Sequence, residues 1–332
     1  MIRRHMIMSA AAATLALASC SGSDDPSPSP TPTPTGSVTP TPTASPTYAA
    51  FPLGAAAEFG TINASASYTG DPAAGPVTLG AVGTEIGLST RVRLATSNAI
   101  ATATYVINEN SEESRFVNAN VTVAPAPGVT EFVFRTTDTA TAGKFSQLEF
   151  LNNTISDTTR TNNLALQLTN VSYANWWRGD STTGAKRITN TVFGYQTTLA
   201  DMPKTGTQAY TTSVVGRLVS TNAGATTLWR IGGTVTTSVN FSTGQVTATL
   251  TLNRTPEGGG ATIAYGSYTL QGSILSGQNQ FTGSFAAGST LTGTLTGGFF
   301  GSQGKEIGIA FAGTGTNGGD SQNLIGVIVG KK

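Results

Sequence analysis

Past Met202 the chain settles into eight short runs of alternating apolar and polar residues, each closed by a glycine-rich turn, and this regularity limits the fold more than any other feature. The runs lie near residues 208–220, 228–240, 245–254, 261–272, 279–286, 289–299, 305–313 and 322–330. A period of two puts successive side chains on opposite faces of a strand. The pattern is clearest in the pair joined by Phe241-Ser242-Thr243-Gly244. There Val235, Val239 and Phe241 face one way, Val246, Ala248, Leu250 and Leu252 take the matching side, and Thr, Ser, Asn and Arg occupy the opposite faces. Eight strands with short turns predict an up-and-down antiparallel barrel that abolishes its own edges. The polar exterior argues against a membrane-spanning barrel, which needs an apolar outer band with aromatic girdles. A barrel of this size is filled by side chains. Residues 205–332 are therefore expected to fold alone.

The turn-forming group Met202-Pro203-Lys204-Thr205-Gly206 divides this region from residues 51–204, where strand signals are less regular. Runs occur at Thr90 to Leu94, Ala101 to Ile107, Val117 to Val123, Thr130 to Thr136, Lys144 to Phe150, Leu164 to Trp176 and Arg187 to Tyr195. No helical period is sustained. The expectation is an all-β chain whose first half is flatter and loop-rich, with long connections around 108–115 and 178–186.

The N-terminus reads as a bacterial lipoprotein signal over residues 1–19. Arg3 and Arg4 precede an apolar stretch from Met6 to Ala18, too short to span a bilayer, and Leu17-Ala18-Ser19-Cys20 supplies small residues before the one cysteine. Lipidation of Cys20 would give more than one acyl chain, each buried methylene contributing about 0.8 kcal/mol, so release from the membrane would be rare. Ser21 stands where an Asp would favour inner-membrane retention, so the expected location is the outer membrane. Residues 20–50 form the lipidated Cys20 and a tether, with Pro at 26, 28, 30, 32, 34, 40, 42 and 46 spaced by Ser and Thr. Such a stretch buries no core and favours extended polyproline II.

Beyond the signal the chain holds neither thiol nor imidazole, because His5 is its one histidine. Ser-His-Asp and Cys-His nucleophiles, His-ligated zinc or haem iron, and disulfides are thereby excluded. With 18 Lys and Arg against 17 Asp and Glu, no basic face points to nucleic acid. Gly313-Thr314-Gly315-Thr316-Asn317-Gly318 has dinucleotide-binding spacing but joins two strands, where that motif requires a following helix, so it reads as hairpin chemistry. Ser302-Gln303-Gly304-Lys305 has Ser-x-x-Lys spacing in a glycine turn where a helix is required. Arg178-Gly179-Asp180 is too short to specify a partner. Glu112-Glu113 beside Arg115 reads as loop charge rather than a catalytic pair. Tyr195, Tyr265 and Tyr268 are considered as haem-iron ligands, but strand tyrosines are ordinarily half-buried. No catalytic residue, cofactor or metal site is expected.

Several segments resemble the transferrin-binding protein B family of bacterial surface lipoproteins. Asp201-Met202-Pro203-Lys204-Thr205-Gly206-Thr207-Gln208-Ala209-Tyr210 resembles the family's entry into its barrel. Tyr173-Ala174-Asn175-Trp176 and Phe193-Gly194-Tyr195-Gln196-Thr197 resemble two preceding strands, and Val239-Asn240-Phe241-Ser242-Thr243-Gly244 resembles its second hairpin. Gly297-Gly298-Phe299-Phe300-Gly301, Lys305-Glu306-Ile307-Gly308 and Gly326-Val327-Ile328-Val329-Gly330 resemble its closing strands, with Ser302 where Pro is usual and Ile328 where Phe is usual. The match runs from roughly residue 164 onward and is specific for fold rather than ligand.

The resemblance implies one lobe, made of a handle-like β domain over residues 51–204 and an eight-stranded antiparallel barrel over 205–332. It also implies a non-enzymatic lipoprotein of the outer membrane or cell surface that binds a ligand in iron or other nutrient acquisition. The alternative is a structural or adhesive surface lipoprotein without a small ligand. Expected partners are the membrane, through lipid on Cys20, an extracellular iron carrier, haem or other solute or protein, and an outer-membrane receptor or translocator. Trp176-Trp177-Arg178 can form an interaction anchor at a strand end. Alternation buries one tryptophan, and the resemblance makes that Trp176, which leaves Trp177 and Arg178 as the candidate ligand contacts.

Overall fold

The structure is a computed structural model that describes residues 46–87, 92–137, 144–155, 161–180 and 184–332. The signal over 1–19, Cys20 and the tether up to residue 45 lie outside the described residues.

Ten strands form the first sheet: β1 (Ala57–Thr69), β2 (Thr78–Gly87), β3 (Val92–Thr96), β4 (Tyr105–Glu109), β5 (Glu112–Phe116), β6 (Val121–Val123), β7 (Glu131–Thr137), β8 (Phe145–Leu151), β9 (Val171–Asp180) and β10 (Ala185–Gly194). Their order is β5-β4-β3-β1-β10-β9-β8-β7-β6, with β2 also paired to β1. Eight more close the barrel in sequence order: β11 (Thr207–Thr221), β12 (Thr226–Asn240), β13 (Gln245–Pro256), β14 (Ile263–Ile274), β15 (Gln280–Phe285), β16 (Leu291–Phe300), β17 (Glu306–Asn317) and β18 (Asp320–Lys331). The antiparallel pairing of β11 with β18 completes the ring.

All eight barrel runs coincide with strands, and Val235, Val239, Val246, Ala248, Leu250 and Leu252 are buried inside the barrel as alternation requires. At Gly318 and Gly319 both φ angles are positive, 63° and 91°, which gives the tight β17–β18 turn in place of any phosphate-binding helix. Ser302–Gly304 is a single turn with no helix after it.

The expectation of a polar barrel exterior holds only in part. On β11, β17 and β18 the outward residues Val219, Ala310, Ala312, Ile325, Val327 and Val329 are buried in a second core with Ile62, Ala64, Tyr173 and Val192 of the first sheet. These strands therefore carry near-continuous apolar runs, such as Leu324 to Val329, because both of their faces are covered. Contact is close: a Cβ at Gly308 would lie 2.2 Å from Val192 Cγ1.

The first half is not flat. Its sheet curls until β3, β4 and β5 face β7, β8 and β9 across a third core, in which Tyr105, Phe116, Phe132, Phe134, Phe150 and Trp176 are fully buried. Phe132 and Phe150 stack at 5.1 Å. The curl arises at β1, whose residues 57–60 pair with β3 while residues 61–69 pair with β2. The connection expected around 108–115 is the β4–β5 hairpin, turning at Asn110 with φ 53°. Of the connection expected around 178–186, residues 178–180 and 185–186 are the paired ends of β9 and β10, and residues 181–183 lie outside the described residues. β1 escapes sequence reading because many of its buried positions are filled by small or polar residues, Ala64, Ala66, Thr61 and Asn63, and β2 because none of its described side chains is buried. β5 escapes because an edge strand carries charge, here Glu112, Glu113 and Arg115.

Two buried carboxylates join the sheet to the barrel. Glu149 of β8 accepts from Arg217 of β11 through both of its oxygens, at 2.8 and 2.9 Å, and also from Gln147 and Asn175. Glu306 of β17 accepts from the backbone N–H groups of Thr169, Asn170 and Val171 at 2.8, 2.6 and 2.8 Å, fixing the entry to β9.

Candidate ligand-binding cleft

Alternation along β9 assigns each residue of the Trp-Trp-Arg group to one face of the curled sheet. Ala174, Trp176 and the root of Arg178 share the face of the aromatic core, while Tyr173 and Trp177 share the face that meets the barrel. Trp176 is fully buried and its Nε1 donates to Ser146 Oγ at 2.8 Å. That hydroxyl donates onward to Ser114 Oγ at 2.7 Å, tying β8 to β5.

Trp177 does not stand in solvent. It packs against the core between sheet and barrel and meets Phe145 edge-on at 5.2 Å. The physical reason is that both faces of this sheet are covered, so the side of β9 opposite Trp176 opens onto the barrel wall. Arg178, by contrast, reaches a cleft of about 680 Å³ between the β4–β5 hairpin and strands β8, β9 and β10. The two sequence-derived contact candidates thus point to opposite faces, and the structure brings only Arg178 into the cleft.

Cross-strand register builds the cleft's charge. Arg178 and Arg187 are directly opposite on β9 and β10, an arrangement that repels unless a counter-charge is supplied. Glu109, at the end of β4, supplies it by pairing with Arg178 Nη2 at 2.5 Å through one oxygen and with Arg187 through the other. Arg178 Nε also reaches Glu112 at 2.7 Å, and its guanidinium lies 3.5 Å from the Trp176 ring centroid. Burial draws the Arg178 pKa down while Glu109 and Glu112 oppose it, and an arginine so flanked stays charged. Glu113 pairs with Arg115 at 2.6 Å. The Glu112-Glu113 pair is therefore held by arginines on an edge strand.

The cleft wall carries five basic residues, Arg115, Lys144, Arg178, Lys186 and Arg187, against two acidic ones, Glu112 and Glu113. Among the described residues, counting Glu109 beneath them, the balance is still two positive charges. Such a wall favours an anionic ligand or an acidic protein surface. Sequence reading missed Glu109, Lys144, Lys186 and Arg187, whose convergence depends on strand register and on the curl of the sheet.

The other considered residues are structural. Tyr265 donates to Gln322 Oε1 at 2.7 Å inside the barrel, and burial pushes its phenol pKa well up. Tyr195 lies in a cluster with Phe51 and Phe59, and burial raises it too. Neither is disposed to ligate iron as a phenolate. Among the described residues no group of three His, Cys, Asp or Glu side chains is placed to hold a metal. Arg178-Gly179-Asp180 lies on β9 rather than at a loop tip.

Residues 202–332 match the family model for the C-lobe and N-lobe beta barrels of Tf-binding protein B. No curated protein matches the chain. Among solved structures, a double mutant of Transferrin Binding Protein B from Haemophilus parasuis Hp5 is 12% identical, with 85% of this chain and 77% of that chain covered and a TM-score of 0.38. HpuA from Kingella denitrificans, in complex with human haemoglobin, is 16% identical, with 87% and 91% covered and a TM-score of 0.35. Isotype 1 transferrin binding protein B from serogroup B Neisseria meningitidis is 12% identical, with 82% and 43% covered and a TM-score of 0.36. The chain spans about half the length of intact Ap-TbpB, covering 49% of it at 14% identity, with 77% of this chain matched and a TM-score of 0.38. Likeness of this degree says nothing about a ligand. The closed ring of β11 to β18 and the match across residues 202–332 make this part of the chain a barrel of the kind found in the C-lobe and N-lobe of Tf-binding protein B.

Proposed function

We propose that this chain is a lipid-anchored surface protein that captures an extracellular ligand without turning it over. The observation that carries this reading is the match of residues 202–332 to barrels of a binding protein. The barrel is the rigid support, and the curled sheet presents the cleft around Arg178. Lipid on Cys20 anchors the chain to the outer membrane, and the Pro-rich segment after it spaces the folded part from the surface. The family's name points to iron acquisition, with an iron carrier, haem or another scarce solute as the ligand and an outer-membrane receptor or translocator as the onward partner. The cation-rich wall supports a ligand presenting carboxylates or an acidic face.

The test is a pull-down with the immobilised chain from iron-limited growth medium, repeated with Lys144→Glu and Lys186→Glu combined. The expected result is one ligand retained in stoichiometric amount, bound at least about tenfold more weakly by the double variant. Retention of nothing above a blank matrix would overturn the capture reading. Undiminished retention by the variant would move the site away from the cleft. Cell fractionation of Cys20→Ala tests the anchor separately: the variant should leave the membrane fraction.

A further inference from the structure

At the end of the barrel where β12 turns into β13 and β14 into β15, the surface is more apolar than folding requires. Leu199 and Leu275 are 55% and 66% exposed. They flank a groove of about 420 Å³ that Met202, Phe241 and Ile274 also line. Leu275 sits at a turn tip, where a polar residue would serve the turn equally well.

Among the described residues, the exposed charge at this end has a single sign. Lys204, Lys305 and Lys332 are exposed, and Lys332 Nζ lies 5.9 Å from the Phe241 ring centroid. The acidic side chains here are withdrawn. Glu306 is buried beneath the entry to β9, and Asp201 is buried under hydrogen bonds from Gln303 N at 2.9 Å and Tyr48 Oη at 3.0 Å. The barrel's other carboxylates, Glu257 just past β13 and Asp320 at the start of β18, lie at the opposite end.

The chain also enters the folded body at this place. Besides its bond to Asp201, Tyr48 Oη accepts from Thr198 N at 2.9 Å, one residue from Leu199. The described residues therefore start at this end of the barrel rather than at the cleft.

We propose that this end of the barrel rests on an anionic bilayer surface, with Leu199 and Leu275 entering the headgroup layer and Lys204, Lys305 and Lys332 meeting lipid phosphates. Exposed leucines within a lysine-only rim are the composition of an interfacial contact. The geometry rests on the anchored reading given above, but the contact itself requires no acyl chain.

The test is co-sedimentation of the chain from Ser21 onward, which keeps every described residue and cannot be acylated, with vesicles of phosphatidylcholine alone or mixed with phosphatidylglycerol. Binding is expected only to the anionic vesicles and should fall as salt rises. Leu199→Ser with Leu275→Ser, and separately Lys204→Glu with Lys305→Glu, should each weaken it about tenfold or more. Ile263→Ser, an exposed apolar position at the other end of β14, should leave it unchanged. Four results would overturn the proposal: no vesicle binding, equal binding to neutral vesicles, indifference to both double variants, or self-association through Leu199 and Leu275 in place of vesicle binding. The last would assign the groove to a second copy of the chain. Because no acyl group is present, none of these results depends on the fate of Cys20, which fractionation reads on its own.

Discussion

Glu149 and Arg217 form a two-pronged ion pair inside the joint between the curled sheet and the barrel, where Arg217 also reaches Glu257 at 3.1 Å. Burial raises the Glu149 carboxyl, yet Arg217 and Arg230 together bring its pKa below the usual range. Removing one partner strands a charge in the joint. Arg217→Ala should cost about 3 kcal/mol in chemical denaturation, and Glu149→Gln with Arg217→Met should recover much of it. A loss below about 1 kcal/mol for Arg217→Ala would mean that water, not the pair, solvates the joint.

A second carboxylate in the joint behaves in the opposite way. Glu131 accepts from Tyr173 Oη at 2.9 Å, and burial, helped by the charge on Glu149, pushes its pKa up to about 7. Between its unfolded value and this one the folded chain holds a proton that the unfolded chain releases, so this group's contribution to stability declines as pH rises through that window. Glu131→Gln should therefore exceed the parent in stability at about pH 8, by about 1 kcal/mol, and lose that advantage near pH 4. Urea denaturation at the two pH values measures it, and a constant difference would refute the assignment.

Trp177 and Arg178 should separate in experiment as they do in space. Trp177→Ala removes packing against the barrel and should lower stability by about 2 kcal/mol, with affinity for the captured ligand unchanged. Lys186→Glu reverses a charge that lines the cleft and should do the reverse, weakening binding with the melting temperature within about two degrees of the parent. Thermal denaturation beside a titration distinguishes these. Loss of affinity in Trp177→Ala at unchanged stability would return Trp177 to the site.

The barrel on its own should be sticky. Val219, Ala310, Ile325, Val327 and Val329 lose their cover when residues 46–200 are removed. Residues 205–332 should still form β structure but associate in a concentration-dependent way, because an uncovered apolar strip seeks a partner. Sedimentation velocity reads this directly, and a monomer at all concentrations would show that the strip tolerates water.

How much of this was legible depended on what each strand buries. β11 to β18 declared themselves through alternation and glycine turns, including the inward faces from Val235 to Leu252. β1 did not, since Ala64, Ala66 and Asn63 are small or polar for close packing and imitate loop composition, and β2 did not, since none of its described side chains is buried. Alternation correctly separated Trp176 from Trp177, but it cannot say what covers the second face of a sheet. The cleft was hidden for a related reason. Arg178 was visible as a strand-end cation, whereas Glu109, Lys144 and Arg187 join it only through the pairing of β9 with β8 and β10 and the curl that carries β4 across them.

The pairing of β11 with β18 also dictates an order of events. Residues 211–221 bond to residues 321–331, so the ring has two open edges until its last strand is present. A chain emerging from its N-terminus cannot close the barrel early, and contacts this distant in sequence form slowly. Until then β11 and β17 expose unpaired backbone that invites intermolecular pairing. The strip that later carries the curled sheet is also incomplete, because Ile325, Val327 and Val329 arrive last. Completion of the lobe is thus a single late step governed by its final dozen residues, and truncations there should be felt as failure of maturation in both halves.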